Sequence, residues 1–458
     1  MTILYLSIGM ASPLSMSLEL CRRLRDRGHT VTYASHEDLS DRVGAHGHHF
    51  IRLHDPEPTS PIRLRRALAD GREQCRRRRA SIDDDGPVRL LDAVKPDRIL
   101  ADVEMHVAIL KLIEPARTRG IPLLLTMAIF PVHPAPGRPP LHVTDPPADG
   151  APGRRRLRRK WRRTRLERTH FEWKQRLARW RRLEPCPTVG YFCFDVDDLR
   201  DVARRHGVDL GRETTRRHWL RPFMYTRLPV LCWNARELDW PQGSPPEELP
   251  QNVRYVGPMV QRPRFAQDHS DDLDEEFRAW RRFDSERGAD RPLVYASLGS
   301  FWAGDVDLLR GIVEIFARHP AWDLVLGLGR QARIDDLGPL PPNVLALPWA
   351  PQVEVLERAD AAVVHGGVAT LNECALLGVP TVVYSTGFVE QHGNAARIGF
   401  HGIGRVASTP HDIKPSIRHV LEDPAYRRRL DALRPSLERY AQQRVALGLI
   451  ESAEVLPA

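Results

Sequence analysis

Residues 361–399 read AAVVHGGVATLNECALLGVPTVVYSTGFVEQHGNAARIG, and this stretch decides the fold. Ala361 to Val364 is a short apolar run of the kind buried on both faces of a parallel sheet, and His365, Gly366 and Gly367 turn the chain directly after it. The spacing predicts a helix over 370–377, with Leu371, Cys374 or Ala375 and Leu377 or Gly378 on one side, stopped by Gly378 and Pro380. Residues 379–384 read as a second buried strand. A strand, a glycine turn and a helix N-terminus leave backbone N–H groups and a positive dipole end at the strand's carboxyl edge, so an anion site is expected there.

These residues resemble the donor signature of the family 1 nucleotide-sugar glycosyltransferases, including the bacterial natural-product glycosyltransferases. That signature is a His-Gly-Gly or His-Cys-Gly turn, a Ser or Thr, a Glu eight residues after the His, and later an acidic residue followed by Gln. Here they are His365, Gly367, Thr370, Glu373 and Glu390-Gln391. The resemblance implies an α/β fold of the GT-B type, two Rossmann-like doubly wound domains facing each other across a cleft. By the same resemblance His365 and Thr370, with Gly367 and Ala369 in their turn, would meet the donor diphosphate. Glu373 would accept from the ribose hydroxyls, and Glu390 with Gln391 would hold the sugar. The residue types suit those tasks, since a carboxylate accepts from both hydroxyls of a diol and an imidazole beside a helix N-terminus can donate to phosphate.

Two further elements extend the resemblance. Ser297-Leu298-Gly299-Ser300 is similar to the family's diphosphate-contacting turn, and Trp349-Ala350-Pro351-Gln352 to its W-x-P-Q element. Trp349 would then stack on a uracil or thymine ring, the Ala350 backbone would read the ring edge, and Gln352 would lie near the ribose.

At 458 residues the chain exceeds the usual ceiling for one core, so two domains are expected. We place an acceptor-binding domain at 1–235, a linker at 236–290, a nucleotide-sugar domain at 291–425 and a returning C-terminal helix at 426–458. Apolar runs are too short to span a membrane, and the six cysteines show neither a disulfide framework nor zinc-ligand spacing. A cytoplasmic protein without metal or cofactor is expected, with a UDP- or TDP-sugar as co-substrate and peripheral contact at the inner membrane face left open. The opening residues read as a strand rather than a signal peptide, because a basic n-region is lacking.

The start of the chain is strand 2–8, loop 9–12, a helix from Pro13 and a stop at Gly28, again as in the family. The family usually places its general-base His in this loop. Here that position is Met10, and a thioether cannot accept a proton near neutral pH. Asp102, at the end of a strand, matches the Asp that orients the missing His; it is a candidate base in its own right or a helix N-cap. Glu104 and His133 are further acceptor-side candidates, with His106 behind them.

Residues 154–182 hold 15 Arg or Lys against Glu167 and Glu172, a net charge of +13 in a chain of +9, so the remainder is net acidic. Leu157 and Trp161, then Trp173, Leu177 and Trp180, give an aromatic stripe on one or two helices. Three partners compete for this segment: the N-terminal domain alone, an anionic membrane or acceptor, or a nucleic acid, for which there is no accompanying motif.

The expected function is inverting, metal-independent transfer of a hexose from a UDP- or TDP-sugar to a small-molecule acceptor. Without the family's His, a GT-B auxiliary or binding protein is the alternative. An epimerase on the same scaffold would lack the W-x-P-Q and Glu-Gln elements.

Overall fold

The computed structural model describes the chain apart from residues 54–81, 132–136, 149, 181–195, 216–223, 242–251, 263–270, 289, 300–304, 330–331, 386–388 and 456–458. In the first half, β1 (Thr2–Leu6), β2 (Thr30–Ser35), β3 (His49–Arg52), β4 (Arg98–Asp102) and β5 (Leu123–Met127) alternate with helices. A short antiparallel ladder, β6 (Thr214–Thr215) with β7 (Met224–Tyr225), precedes β8 (Val230–Cys232) and β9 (Val253–Tyr255). The sheet runs β3-β2-β1-β4-β5-β8-β9 with every pair parallel.

The second sheet contains β10 (Leu293–Ser297), β11 (Asp323–Gly327), β12 (Val344–Leu347), β13 (Ala361–Val364), β14 (Thr381–Val383) and β15 (Gly404–Val406), in the order β12-β11-β10-β13-β14-β15 and all parallel. β10, β11, β13 and β14 are buried almost throughout, because helices cover both faces. Each sheet reverses its strand order once, between β1 and β4 and between β10 and β13. Ligands of open α/β sheets bind beyond the carboxyl ends of strands at such reversals.

The basic segment forms one helix, Ala151–Trp180, the first of the two arrangements its spacing allows. Two sequence expectations are corrected. The stripe on this helix is not continuous, since Leu157 and Trp161 are buried whereas Trp173 is 57% exposed. Asp102 does not cap the helix that follows it, because that helix starts at His106 with Met105 at the N-cap.

At the C-terminus, Leu430 and Leu437 of the Ala425–Gln442 helix pack in the core with Leu371 and Ala375 of the second domain. Arg444 turns the chain in the left-handed region, φ 53°, into a short helix, Val445–Glu451. Ala446, Leu447 and Ile450 of this last helix enter the cluster of Ile3, Tyr5 and Leu14, so it makes the return to the first domain. Tyr440 adds a hydrogen bond from its hydroxyl to Glu237 at 3.0 Å.

A buried polar cluster also joins the halves. Asp239 accepts from Arg138 at 2.5 Å, from Arg397 Nε at 2.9 Å and from the Tyr255 hydroxyl. Arg397 lies over the rings of Phe130 and Trp240 at 4.6 and 4.7 Å. Burial alone would raise the Asp239 carboxyl, but the Arg138 and Arg397 guanidiniums hold it well below the usual carboxylate range. Among the described residues no helix is long and apolar enough to cross a membrane, and Cys21, Cys232 and Cys374 are buried free thiols.

Candidate active site

β13 delivers His365 to the sheet's carboxyl edge, and Gly366 at φ 93° swings the chain into Gly367, the N-cap of the Val368–Leu377 helix. Gly367 has no side chain with which to cap that helix. Its first-turn N–H groups therefore face the cleft that Val368, Ala369 and Thr370 line. The His365 ring is wedged between two glycines. A Cβ on Gly299 would lie 2.8 Å from its Cε1 and Nε2, and one on Gly367 only 2.4 Å from Nε2. Burial pushes the imidazole down to about 4, against a hydrogen bond with the Ser297 backbone, so it is neutral at physiological pH and carries a single N–H.

Thr370 and Glu373, three apart on the helix, share a face with Gln352 from the start of the Gln352–Leu356 helix. Gln352 Nε2 donates to the Glu373 carboxylate and, at 3.3 Å, to the Thr370 hydroxyl. The Tyr295 hydroxyl donates to Gln352 Oε1 at 2.9 Å. That bond fixes which end of the amide faces Glu373. Trp349 and Ala350, half-buried, line the same wall.

Glu390 and Gln391 are buried in the first turn of the Val389–His401 helix. One turn on, Asn394 donates to the Gly366 carbonyl at 2.9 Å and ties this helix to the glycine turn. Sequence reasoning missed Tyr295 and Asn394. Both sit in ordinary strand and helix patterns, and only an unexplained polar residue on a buried face could have marked Asn394.

Across the cleft, Met10 is the N-cap residue of the Ala11–Arg25 helix. Asp102 is 4% exposed. Its Oδ1 accepts from the Tyr5 and Thr126 hydroxyls, each at 2.8 Å, and its Oδ2 from the Ile8 amide at 2.8 Å. Burial raises its carboxyl to about 6, against these three hydrogen bonds, and the nearby Glu104 charge adds to the rise. The Tyr5 and Ile8 bonds tie β1 and the residues just after it to the end of β4.

One cavity of about 230 Å³ brings these parts together. It is lined by Met10, Asp102 and Glu104 from the first domain and, from the second, by Ser297, Gly299, Trp349, Ala350, Gln352, His365, Gly367, Ala369, Thr370, Glu373, Glu390 and Gln391. Ser300 and His133 lie outside the described residues. His106 is buried against Tyr225 and is not among the lining residues.

Residues 321–444 match the sequence profile of a family described as erythromycin biosynthesis protein CIII-like, C-terminal domain. Oleandomycin glycosyltransferase of Streptomyces antibioticus is 30% identical over 44% of this chain and 49% of its own length. Demethyllactenocin mycarosyltransferase of Streptomyces fradiae is 33% identical over 45% and 42%. The chain thus spans about half the length of the curated relatives it matches. Among solved structures, the glycotransferase of kitacinnamycin aligns over 100% of this chain and 99% of its own, at 25% identity and a TM-score of 0.65. The calicheamicin glycosyltransferase CalG4 aligns over 98% of both chains at 20% identity and a TM-score of 0.61, a likeness of fold. The chain has the GT-B fold of these glycosyltransferases, and its residues 321–444 are similar to the erythromycin biosynthesis protein CIII-like C-terminal domain.

Proposed function

We propose that the chain is an inverting, metal-independent glycosyltransferase that moves a hexose from a UDP- or TDP-sugar to a small-molecule acceptor. One observation carries the reading: a neutral His at an uncapped helix N-terminus, a ribose-suited carboxylate and a buried Glu-Gln pair line one cleft opposite Met10, Asp102 and Glu104. The relatives' names point the same way.

In this reading Trp349 stacks on the base, worth about 1–3 kcal/mol by analogy with single-strand binders. Glu373 takes the ribose hydroxyls in exchange for its bond to Gln352. The Val368–Leu377 N-terminus and the His365 N–H meet the diphosphate charge as it grows, in place of a cation. An acceptor oxygen attacks the anomeric carbon from the face opposite the diphosphate, the bond from that carbon to the diphosphate oxygen breaks, and the stereochemistry inverts. The acceptor's proton passes to Asp102, whose raised carboxyl is a better base than an ordinary Asp. The reaction releases the glycoside and a nucleoside diphosphate.

Met10 favours a second reading, a sugar-nucleotide-binding auxiliary without turnover. A thermal-shift panel of UDP, TDP and their sugar conjugates tests the donor site, since ligand at a hundred times its dissociation constant adds about 2.7 kcal/mol. Release of nucleoside diphosphate from the stabilising donor, through slow hydrolysis or on adding acceptor aglycones, then separates the readings. Binding without any release would leave the auxiliary, and no stabilisation by any nucleotide would remove both.

A further inference from the structure

The Ala151–Trp180 helix is anchored along one face only. Leu157, Trp161 and Thr164 are buried, and Trp161 Nε1 donates to the Arg138 carbonyl at 2.7 Å. At 100° per residue the opposite face carries Arg155, Arg159, Arg162, Leu166 and Trp173. All five are exposed. Leu166 and Trp173, 62% and 57% exposed, are the two most exposed large apolar side chains among the described residues, and they sit seven apart on the most basic stretch of the chain. Glu167 on this flank is already paired with Arg163 at 2.8 Å.

We propose that this outer face docks on an anionic phospholipid bilayer, the helix lying in the plane of the surface. Leu166 and Trp173 enter the headgroup boundary, and the arginines on either side of them meet lipid phosphates while their stems cover apolar surface. A nucleic acid would use the arginines equally well but gives no role to an exposed Leu, which cannot stack on a base. The anchored face packs on the segment that leaves β5, whose carboxyl end lines the cleft. Docking therefore places the surface one helix away from the β5 edge of the cleft.

The test is co-sedimentation of the full chain with vesicles of phosphatidylglycerol and phosphatidylcholine, against phosphatidylcholine alone, at low and high salt. Brominated lipid reports depth, and the difference between wild type and Trp173→Phe isolates that ring. We expect salt-sensitive binding to the anionic vesicles, quenching of Trp173, and about fivefold weaker partition for each of Arg155→Gln, Arg159→Gln and Arg162→Gln. Leu166→Ser with Trp173→Ala should weaken partition tenfold or more, while Trp173→Phe keeps it. These positions are exposed, and an unchanged circular dichroism melt confirms the fold. Absence of binding to anionic vesicles, or binding indifferent to the Leu166→Ser and Trp173→Ala changes, overturns the proposal. So does tighter binding to single-stranded RNA than to the vesicles, which would assign the face to nucleic acid.

Discussion

Arg397 and Asp239, 158 positions apart, form a buried ion pair between the two halves of the chain, with Nε to Oδ1 at 2.9 Å and NH2 to Oδ1 at 2.8 Å. Arg138 completes the cluster from the other side. Replacing Asp239 with Asn would leave two buried guanidiniums facing each other without a counter-charge. The expected cost is about 3–5 kcal/mol of stability. A urea titration of Asp239→Asn against wild type measures it, and a stability loss of only about a few tenths of a kcal/mol would show the cluster to be solvated rather than buried.

Glu373 should govern donor affinity. Its carboxylate is held by Gln352, whose amide is in turn held by Tyr295. Glu373→Ala removes a charged acceptor and should weaken nucleotide-sugar binding about 100-fold by calorimetry. Tyr295→Phe lets the Gln352 amide rotate and should cost about tenfold, with the fold intact. Equal affinities in all three proteins would place the ribose elsewhere.

Asp102, raised to about 6 by burial, should give turnover a pH limb near that value. Activity requires the ionised form, so kcat/KM should rise as pH climbs through about 6 and then level off. Asp102→Asn should lower kcat 10²–10⁴-fold and leave donor binding unchanged. Full turnover in that variant would move the base to Glu104.

Met10→His restores an imidazole above Asp102 on the same loop. Donor affinity should not change, because Met10 comes from the first domain whereas Glu373 and Trp349 come from the second. Turnover with hydroxyl acceptors should rise. A variant that binds donor normally but turns over no faster would show that the acceptor is positioned away from residue 10.

His365 should contribute to acid sensitivity. Burial lowers its imidazole from 6.5 to about 4, and His48 and His142 are lowered to about 4 for the same principal reason. Each takes up its proton more readily when unfolded, so its stabilising contribution is complete above pH 6.5 and declines as pH falls toward 4. The melting temperature should drop across that window. His365→Gln should flatten the decline, by an amount of order a few kcal/mol if the ring is as dry as its packing against Gly299 and Gly367 indicates. An unchanged pH slope would mean that the ring is solvated.

The parallel strands are legible in the chain, because β10 and β13 must be apolar on both faces and leave that run of residues. The sequence determined the glycine turn at 365–367, since Gly366 needs a positive φ and Gly367 cannot carry a Cβ against His365. It also determined the order of the cleft-lining residues of the second domain, each local to one strand end or helix start. What surrounds them depends on the folded chain. The bonds from Tyr5 to Asp102 and from Arg138 to Asp239 join residues 97 and 101 positions apart. Such bonds obey no periodicity, because their partners are brought together by strand order rather than by spacing along one element. The same reason hid Asn394 and Tyr295. Which face of the basic helix is covered was settled in the same way: Leu157 and Trp161 have a surface to pack on, whereas Leu166 and Trp173, on the opposite face of the same helix, are exposed.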